Sequence, residues 1–232
     1  MKKYELTNET IEYKGKKLYR IKALIDFGNV EKGARGGFVE KEENLSMSGN
    51  AWVCDNARVC DNARVCGDAN VCGDAFVSDN AQVSGDAFVC GNAWVCDNAR
   101  VCGDANVCGN AWVCDNAQVS GDARVSGNAQ VSGDARVCGG ANVCGDANVC
   151  GDAQVDKSIN YAVIKGFGTC YRSTTFFRCQ DKTVKVSCGC FLGTIDEFRN
   201  QVKNTRGGKI AKEYLMIADL MEIHFSEDGY DG

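Results

Sequence analysis

The sequence predicts a mainly β protein whose centre is a parallel β-solenoid, and three observations support this fold class. Residues 51–155 repeat a six-residue phrase that reads Ala-x-Val-(Cys/Ser)-(Gly/Asp)-(Asp/Asn). Valine occurs at every sixth position from Val53 to Val155, eighteen times in all, and alanine stands two residues before each valine. The corner pairs recur at intervals of eighteen residues. A fixed short period of this kind is typical of a solenoid.

Each phrase combines a short strand with a corner. Alternation places Ala and Val on one face of the strand, and the variable residue and Cys/Ser on the other. The Gly-Asp, Asp-Asn and Gly-Asn pairs tolerate left-handed backbone angles, which suits a corner. Asp-Asn recurs at 61–62, 79–80, 97–98 and 115–116. Three phrases therefore form one coil, and eighteen phrases form about six coils with an axis of roughly 29 Å.

The flanking segments divide the chain into three predicted parts. Residues 1–32 resemble a β-hairpin cap, with a turn at Lys14-Gly15-Lys16 and a return strand from Leu18 to Ile25. Residues 33–156 form the solenoid, of which 33–50 are one degenerate first coil. A solenoid needs such an atypical repeat because its open end is an unpaired sheet edge.

Residues 157–232 are predicted to form a compact α+β cap or docking domain. Strands are expected at 161–164, 174–178 and 183–186. Thr194 and Glu197 form a capping box that opens a helix to about Thr205. A second helix runs from Lys209 to about Phe225, and the tail 226–232 is polar and expected to fray. The apolar face of this helix includes Ile210, Tyr214, Ile217, Leu220, Met221 and Phe225.

The variable residue of each phrase is expected to face solvent, and the period of eighteen sorts these residues into three faces. One face carries large aromatic residues in three consecutive coils, Phe76, Trp94 and Trp112. Adjoining aromatic side chains are costly to leave in water, so this ladder predicts a subunit or partner interface. Stacking that merely stiffens the solenoid is the alternative, and a carbohydrate platform is a weaker one.

The second face alternates arginine with glutamine, and its arginines are Arg64, Arg100 and Arg136. Alternation keeps like charges from neighbouring strands, which is a sufficient structural reason for the pattern. The same column could bind an anionic partner. The third face is mixed and includes Trp52 and Phe88.

The corner aspartates and the cysteines do not predict a cofactor or a metal site. Turn chemistry explains the aspartates, although acidic ridges could also collect cations or mimic nucleic acid. Twelve cysteines follow a valine, and stacking is expected for Cys54, Cys72, Cys90 and Cys108. A spacing of six is not a Cys-x-x-Cys signature. Four further cysteines could hold zinc, but a buried pair among them is the favoured interpretation: Cys170, Cys179, Cys188 and Cys190.

Composition restricts the functional classes. The net charge of −5 makes direct nucleic-acid binding an unfavoured function. No apolar run follows Met1-Lys2-Lys3-Tyr4, so we expect neither a secretory signal nor a membrane span. Sixteen cysteines without such a signal indicate free thiols in a reducing, cytoplasmic setting. A secreted protein built on disulfides is the weaker alternative.

Several motifs resemble a known family. Asp26-Phe27-Gly28, Gly36-Gly37-Phe38-Val39-Glu40 and Asn44-Leu45-Ser46 are similar to segments of YdcK-type β-solenoid proteins of enterobacteria, phages and prophages. The segment 187–198 resembles a tail common among phage-borne members. The resemblance implies a left-handed parallel β-helix of the hexapeptide-repeat type. It also implies a phage or prophage origin, with the host-cell cytosol as the compartment. Members are often labelled acyltransferases by fold analogy.

The sequence favours a non-catalytic, rigid scaffold or binding protein over an enzyme. We expect a homo-oligomer, with a trimer favoured, joined through the aromatic ladder, and a host or phage protein as a further partner. The alternative is an acyltransferase that uses acyl-CoA. That chemistry would need a protruding loop and a histidine base, whereas no loop interrupts the repeats and His224 is the only histidine. A further alternative is that the ridge of corner aspartates mimics nucleic acid and thereby inhibits a host protein that binds nucleic acid.

Overall fold

The predicted fold class is confirmed by a computed structural model, which describes residues 2–226. The molecule is a parallel β-solenoid of about seven turns, with an N-terminal hairpin and a small C-terminal domain of helices and antiparallel sheet. Handedness stays a prediction of the family resemblance.

The eighteen phrases fold as eighteen two-residue strands, β4 to β21, each formed by the variable residue and the valine. They stack as three parallel sheets with a register of eighteen residues, as the corner spacing predicts. The strands are Trp52–Val53, Arg58–Val59, Arg64–Val65, Asn70–Val71, Phe76–Val77, Gln82–Val83, Phe88–Val89, Trp94–Val95, Arg100–Val101, Asn106–Val107, Trp112–Val113, Gln118–Val119, Arg124–Val125, Gln130–Val131, Arg136–Val137, Asn142–Val143, Asn148–Val149 and Gln154–Val155.

The solenoid core consists of the stacked alanine and valine columns. The eighteen valines from Val53 to Val155 are at most 1% exposed, and so are the alanines that precede them. A fully buried valine contributes roughly 1.5–3 kcal/mol, so this narrow core is stable without large side chains. The corners are equally regular, because Asp79, Asp97 and Asp115 adopt φ values near +60° and the corner glycines values near +70°.

The N-terminal hairpin closes the first coil. Strand β1 (Tyr4–Tyr13) pairs antiparallel with β2 (Lys16–Ala23), and β2 pairs antiparallel with β3 (Arg35–Val39). Strand β3 then pairs in parallel with β5, the strand at Arg58–Val59. With a 3-10 turn at Glu42–Asn44, β3 belongs to the predicted degenerate coil. The hairpin thereby covers a sheet edge that would otherwise be unpaired.

The C-terminal sheet closes the other end. Its strands β22 (Tyr161–Phe167), β23 (Arg172–Arg178), β24 (Val184–Cys188) and β25 (Phe191–Thr194) follow a 3-10 turn at Ser158–Asn160. They pair antiparallel in sequence order. Phe177 of β23 joins the solenoid core, and the bridge between Ala153 and Cys179 links the sheet to the last coil.

Two helices cover the other side of this sheet. Helix α1 (Ile195–Thr205) begins at the predicted capping box, and helix α2 (Gly208–His224) follows it. The prediction that Leu220 lies on the apolar face of α2 was wrong, because its side chain is 56% exposed. The prediction is confirmed at Tyr214, Ile217 and Met221, which pack against the sheet together with Ala218. The predicted tail at 226–232 lies almost entirely outside the described residues.

Neither α1 nor α2, the two α-helices in the described part of the chain, has the length and apolar character needed to cross a membrane.

Candidate binding surface

The aromatic ladder predicted from the repeat period forms on one sheet of the solenoid. Trp94 pairs in register with Phe76 on one side and with Trp112 on the other. The ring centroids of Phe76 and Trp94 are 5.4 Å apart, and those of Trp94 and Trp112 are 5.5 Å apart. The interplanar angles of 58° and 67° give tilted or edge-to-face contacts. Such pairs contribute roughly 0.5–1.5 kcal/mol each beyond the area they bury.

The tip of the N-terminal hairpin covers one end of this ladder. The ring of Tyr13 lies 5.0 Å from that of Phe76 in an edge-to-face contact. The ammonium group of Lys14 lies 4.8 Å from the centroid of Phe76 and 3.9 Å from that of Trp94. The guanidinium of Arg58 lies over Tyr13, 4.4 Å from its centroid. The hairpin turn therefore covers the Phe76 end of the ladder with aromatic and cationic groups of the same chain.

This cover corrects the expectation that the residue before each valine faces solvent. Phe76 is only 3% exposed, because Leu18 of the hairpin packs on it together with Phe38 and Cys60. On the third face, Trp52 is likewise buried. Its ring contacts those of Phe27 and Tyr4, at centroid distances of 5.4 and 6.4 Å.

The far end of the ladder stays open. Trp94 is half-buried, whereas Trp112 is 40% exposed. Exposed Gln130 continues the same face, and the C-terminal sheet then covers Asn148, whose backbone N–H donates to Thr175 Oγ1 at 2.9 Å. The hairpin and the C-terminal sheet thus leave a window between them. We call Trp94, Trp112 and Gln130 the open aromatic strip.

Trp112 also has an internal hydrogen-bond partner. Its indole N–H donates to the sulfur of Cys96 at 3.2 Å. Cys96 follows the valine of the preceding coil and is 8% exposed. The polar atom of the indole is therefore satisfied within the chain, and the exposed part of Trp112 is apolar surface. The repeat pattern alone does not predict this bond, although the stacking period places residues 96 and 112 near each other.

The arginine column is observed on its predicted face. Arg64, Arg100 and Arg136 are exposed and lie in register with intervening glutamines, Gln82 and Gln118. Among residues 2–226, none of the three forms an ion pair. The glutamines hold the three arginines two strand spacings apart, so the structure does not bring them together at one point.

The acidic corners have a structural role. A carboxylate oxygen of Asp97 accepts the backbone N–H of Asp115 at 3.3 Å, and one of Asp115 accepts that of Gly133 at 2.9 Å. Asparagine side chains form parallel amide ladders, as between Asn80 and Asn98 at 3.1 Å. These hydrogen bonds join each coil to the next. They explain why aspartate and asparagine occupy the corners without a role in mimicking nucleic acid.

The cysteines stack as expected. The neighbouring Cys72 thiol and burial together raise the pKa of Cys54 far above its ordinary value. Burial also raises the pKa of Cys60 and of Cys90 to about 11. Thiols with raised pKa values are poor nucleophiles at neutral pH, because the reactive form is the thiolate.

The four remaining cysteines do not converge on one point. Cys179 is buried against the solenoid core, and burial raises its pKa to about 12. Cys188 instead packs with the helices, where Thr174 Oγ1 donates to its sulfur at 3.2 Å. Cys170 and Cys190 are exposed. In the described residues, no three of these cysteines form a metal-sized cluster.

Part of the repeat is similar to a known protein family. Residues 81–97, 117–133 and 129–145 match the family described as YdcK Beta solenoid repeat. These three segments of the solenoid are therefore similar to YdcK beta solenoid repeats. All three matches lie within the coils that carry the open aromatic strip or adjoin it. The match covers part of the stacked phrases, and the hairpin and the C-terminal domain lie outside the matched residues.

Other comparisons add little. No curated protein matches the chain. A crystal structure described as a "putative acetyltransferase" of Bacillus cereus is similar at 12% sequence identity and a TM-score of 0.20, over 80% of this chain and 95% of that chain. A TM-score this low supports no argument about the activity of this protein.

Proposed function

We propose that this YdcK-repeat protein is a non-catalytic solenoid scaffold that self-associates through the open aromatic strip. The observation that carries the proposal is Trp112, which is 40% exposed at the end of an otherwise covered aromatic ladder. A trimer is the favoured assembly. Phe76 is not part of the proposed contact, because the hairpin of the same chain already covers it.

Burial of the strip would be favourable for two reasons. Tryptophan residues at the centre of an interface contribute a large share of binding energy. A buried polar group without a partner costs about 1–3 kcal/mol, and Trp112 avoids this cost because Cys96 already accepts its indole proton. The Trp112 side chain can therefore leave water without losing a hydrogen bond.

The exposed arginines supply a surface for a second, macromolecular partner. Arg64, Arg100 and Arg136 lie on another face of the solenoid and are free to contact carboxylates of a protein. The resemblance to phage-borne proteins suggests a host or phage protein as that partner. The number of free thiols suggests that the contact forms in the host cytosol.

Light scattering with a matched pair of variants tests the proposal. Trp112→Ser removes the exposed aromatic group of the strip, and Phe88→Ser removes one of similar exposure, 38%, on a different face. In reductant, we expect a trimer for the wild type and for Phe88→Ser, and a monomer for Trp112→Ser. A monomeric wild type, or a trimer unaffected by Trp112→Ser, would contradict self-association through the strip.

The acyltransferase alternative makes a different prediction. It rests on fold analogy, and the only histidine, His224, lies in the last turn of α2. An enzyme of this kind should bind acyl-CoA and show a raised melting temperature in its presence. A reproducible rise that depends on His224 would favour the enzyme over the scaffold.

A further inference from the structure

Cysteine thiols and carboxylates converge at four places in the described part of the chain. At each place, one donor atom from each of three residues lies within 4.8 Å of the other two. The repeat explains two of these groups, because a cysteine after the valine and an aspartate at the next position meet their counterparts one coil away, whereas the other two groups include residues outside the regular phrases. The four groups are Cys54/Asp55/Cys72, Glu40/Cys60/Asp61, Asp97/Cys114/Asp115 and Asp152/Cys179/Asp181.

Two of these groups already hold a lysine. Lys16 forms an ion pair with Asp61, beside Cys60 and Glu40. Lys185 forms an ion pair with Asp152 at 2.6 Å, beside Cys179. An ammonium group thus balances the charge of one carboxylate at both places.

The group at Asp97 and Asp115 has no such balance. Neither carboxylate forms an ion pair with any residue that the structure describes. A fourth donor adjoins them, since the Cys96 sulfur lies 3.3 Å from Asp97 Oδ2. Three donors from two consecutive coils therefore meet here, with the Cys96 thiol beside Asp97, and no cation among the described residues pairs with either carboxylate.

The distances suit tetrahedral coordination. Zinc binds thiolate sulfur at about 2.3 Å and carboxylate oxygen at about 2.0–2.2 Å, so neighbouring sulfur and oxygen ligands are separated by about 3.5 Å. Cys96 Sγ and Asp97 Oδ2 are 3.3 Å apart, and Cys114 Sγ and Asp115 Oδ2 are 3.8 Å apart. Within each cysteine–aspartate pair, the sulfur and the oxygen are thus close to the separation that zinc requires.

The sequence of this corner column explains why two cysteine–aspartate pairs stack directly on each other at only one place in the column. Cysteine precedes aspartate at Cys96-Asp97 and again at Cys114-Asp115, in two successive coils. One coil earlier the pair is Ser78-Asp79, and one coil later it is Ser132-Gly133. Each neighbouring level therefore lacks a thiol, and the later one also lacks the carboxylate.

Trp112 lies beside this group of thiols and carboxylates and contacts one of its sulfur atoms. Its indole N–H points to the Cys96 sulfur at 3.2 Å. Hydrogen bonds from outer groups orient metal ligands, and an N–H donor to sulfur stabilises the thiolate form. The indole also shields the sulfur from water on one side, which strengthens electrostatic attraction to a cation.

We propose that Cys96, Cys114, Asp97 and Asp115 form a binding site for a thiophilic divalent cation of the Zn²⁺ class. Binding releases one proton from each thiol, and two thiolates and two carboxylates then surround the cation. Thiolate ligands favour zinc-like ions over Ca²⁺ and Mg²⁺, which prefer oxygen ligands alone. The ion would join two coils at the level of the open aromatic strip, whether or not that strip mediates self-association.

Titration of the full chain with Cd²⁺, in a reductant that lacks thiols, tests this site. Thiolate-to-metal charge-transfer absorption reports occupancy, and Zn²⁺ added afterwards should displace Cd²⁺. The test variants are Cys96→Ser/Cys114→Ser and Asp97→Asn/Asp115→Asn. Serine stands at positions 78 and 132 of the same column, so the first variant is expected to fold.

The matched control is Cys90→Ser/Cys108→Ser, which removes another stacked pair of thiols. Those two cysteines precede Gly91 and Gly109, so no carboxylates stand beside them. We expect the control to bind as many ions as the wild type, and Cys96→Ser/Cys114→Ser to bind one fewer. Asp97→Asn/Asp115→Asn should weaken binding of that ion by about tenfold or more.

The fluorescence of Trp112 gives a second readout. It should change with the first equivalent of Cd²⁺ in the wild type and in the control, and it should not change in Cys96→Ser/Cys114→Ser. Equal stoichiometry and affinity in the wild type and in Cys96→Ser/Cys114→Ser would overturn the proposal. An equal loss in the control would overturn it too, since stacked thiols without carboxylates would then suffice.

Discussion

The ammonium group of Lys14 lies 3.9 Å from the ring centroid of Trp94, although the two residues are eighty positions apart in the chain. This contact fastens the tip of the N-terminal hairpin to the third coil of regular repeats. It separates the covered part of the aromatic ladder from the open part, and so determines which aromatic groups another molecule can reach.

Removal of the Lys14 side chain should loosen the hairpin. Lys14→Ala is expected to lower the free energy of unfolding by about 0.5–1 kcal/mol, the usual contribution of an exposed cation–π contact. Urea unfolding followed by tryptophan fluorescence measures the change. Lys32→Ala is the control, since Lys32 is exposed. Equal losses in both variants would contradict a specific contact between Lys14 and Trp94.

The corner glycines should not tolerate a side chain. Gly103 has φ +70°, and a Cβ atom there would meet Gly121 N at 2.9 Å. Gly103→Ala is expected to cost about 2 kcal/mol or more, because left-handed strain and the clash combine.

Gly140→Ala is the matched corner control. A Cβ atom at Gly140 would have no neighbour within 4 Å, and its φ is not in the left-handed region. The change should remain within about 0.5 kcal/mol of the wild type. Thermal unfolding measures the melting temperature of both variants. An equal fall in the two melting temperatures would contradict a cost that is specific to the left-handed, crowded position of Gly103.

Lys3 should make stability depend on pH. It is 2% exposed, and burial lowers its pKa from 10.5 to about 8. Between pH 8 and 10.5 the unfolded chain therefore binds more protons than the folded chain, so the contribution of Lys3 to stability rises with pH.

A comparison with Lys3→Met isolates this effect. Cysteines and tyrosines with raised pKa values, such as Tyr4, act in the opposite direction in both proteins. The free energy of unfolding of the wild type minus that of Lys3→Met should increase from pH 8 to pH 10.5. A difference that stays constant over this range would show that the pKa of Lys3 is not lowered.

The cap of α1 should stabilise the C-terminal domain. Thr194 Oγ1 accepts the backbone N–H of Glu197 at 3.2 Å, and Glu197 Oε2 accepts that of Thr194 at 2.8 Å. Thr194→Ala is expected to cost about 1 kcal/mol. Thr205→Ala, at the other end of the helix, should cost much less, because its hydroxyl only donates to the carbonyl of Gln201. Chemical unfolding followed by circular dichroism compares the two.

Most of the solenoid was predictable because its determinants are local and periodic. Val53 to Val155 and the corner pairs specify strand, corner and register in every phrase, so the three faces followed from the count of eighteen. The capping box at Thr194 was equally local. Strand β25 was missed, because Phe191–Thr194 is short and gains its strand character from pairing with β24.

The exposure of particular side chains was harder to predict. Phe76 and Trp112 occupy equivalent positions in the repeat, and nothing in their own phrases distinguishes them. Phe76 is buried because the hairpin tip reaches it, whereas Trp112 lies beyond that reach. Leu220 and Met221 are likewise adjacent apolar residues whose orientation depends on how α2 packs on the sheet.

The sequence by itself determined the solenoid, its period, the composition of its faces and the existence of both caps, because these depend on contacts between residues at fixed separation. The tertiary structure decided where the caps lie. It covered Phe76, left Trp112 open, directed the indole of Trp112 to Cys96, and supplied lysines to some cysteine–carboxylate corners but not to Asp97 and Asp115. These outcomes depend on contacts between distant segments, whose geometry no local pattern encodes.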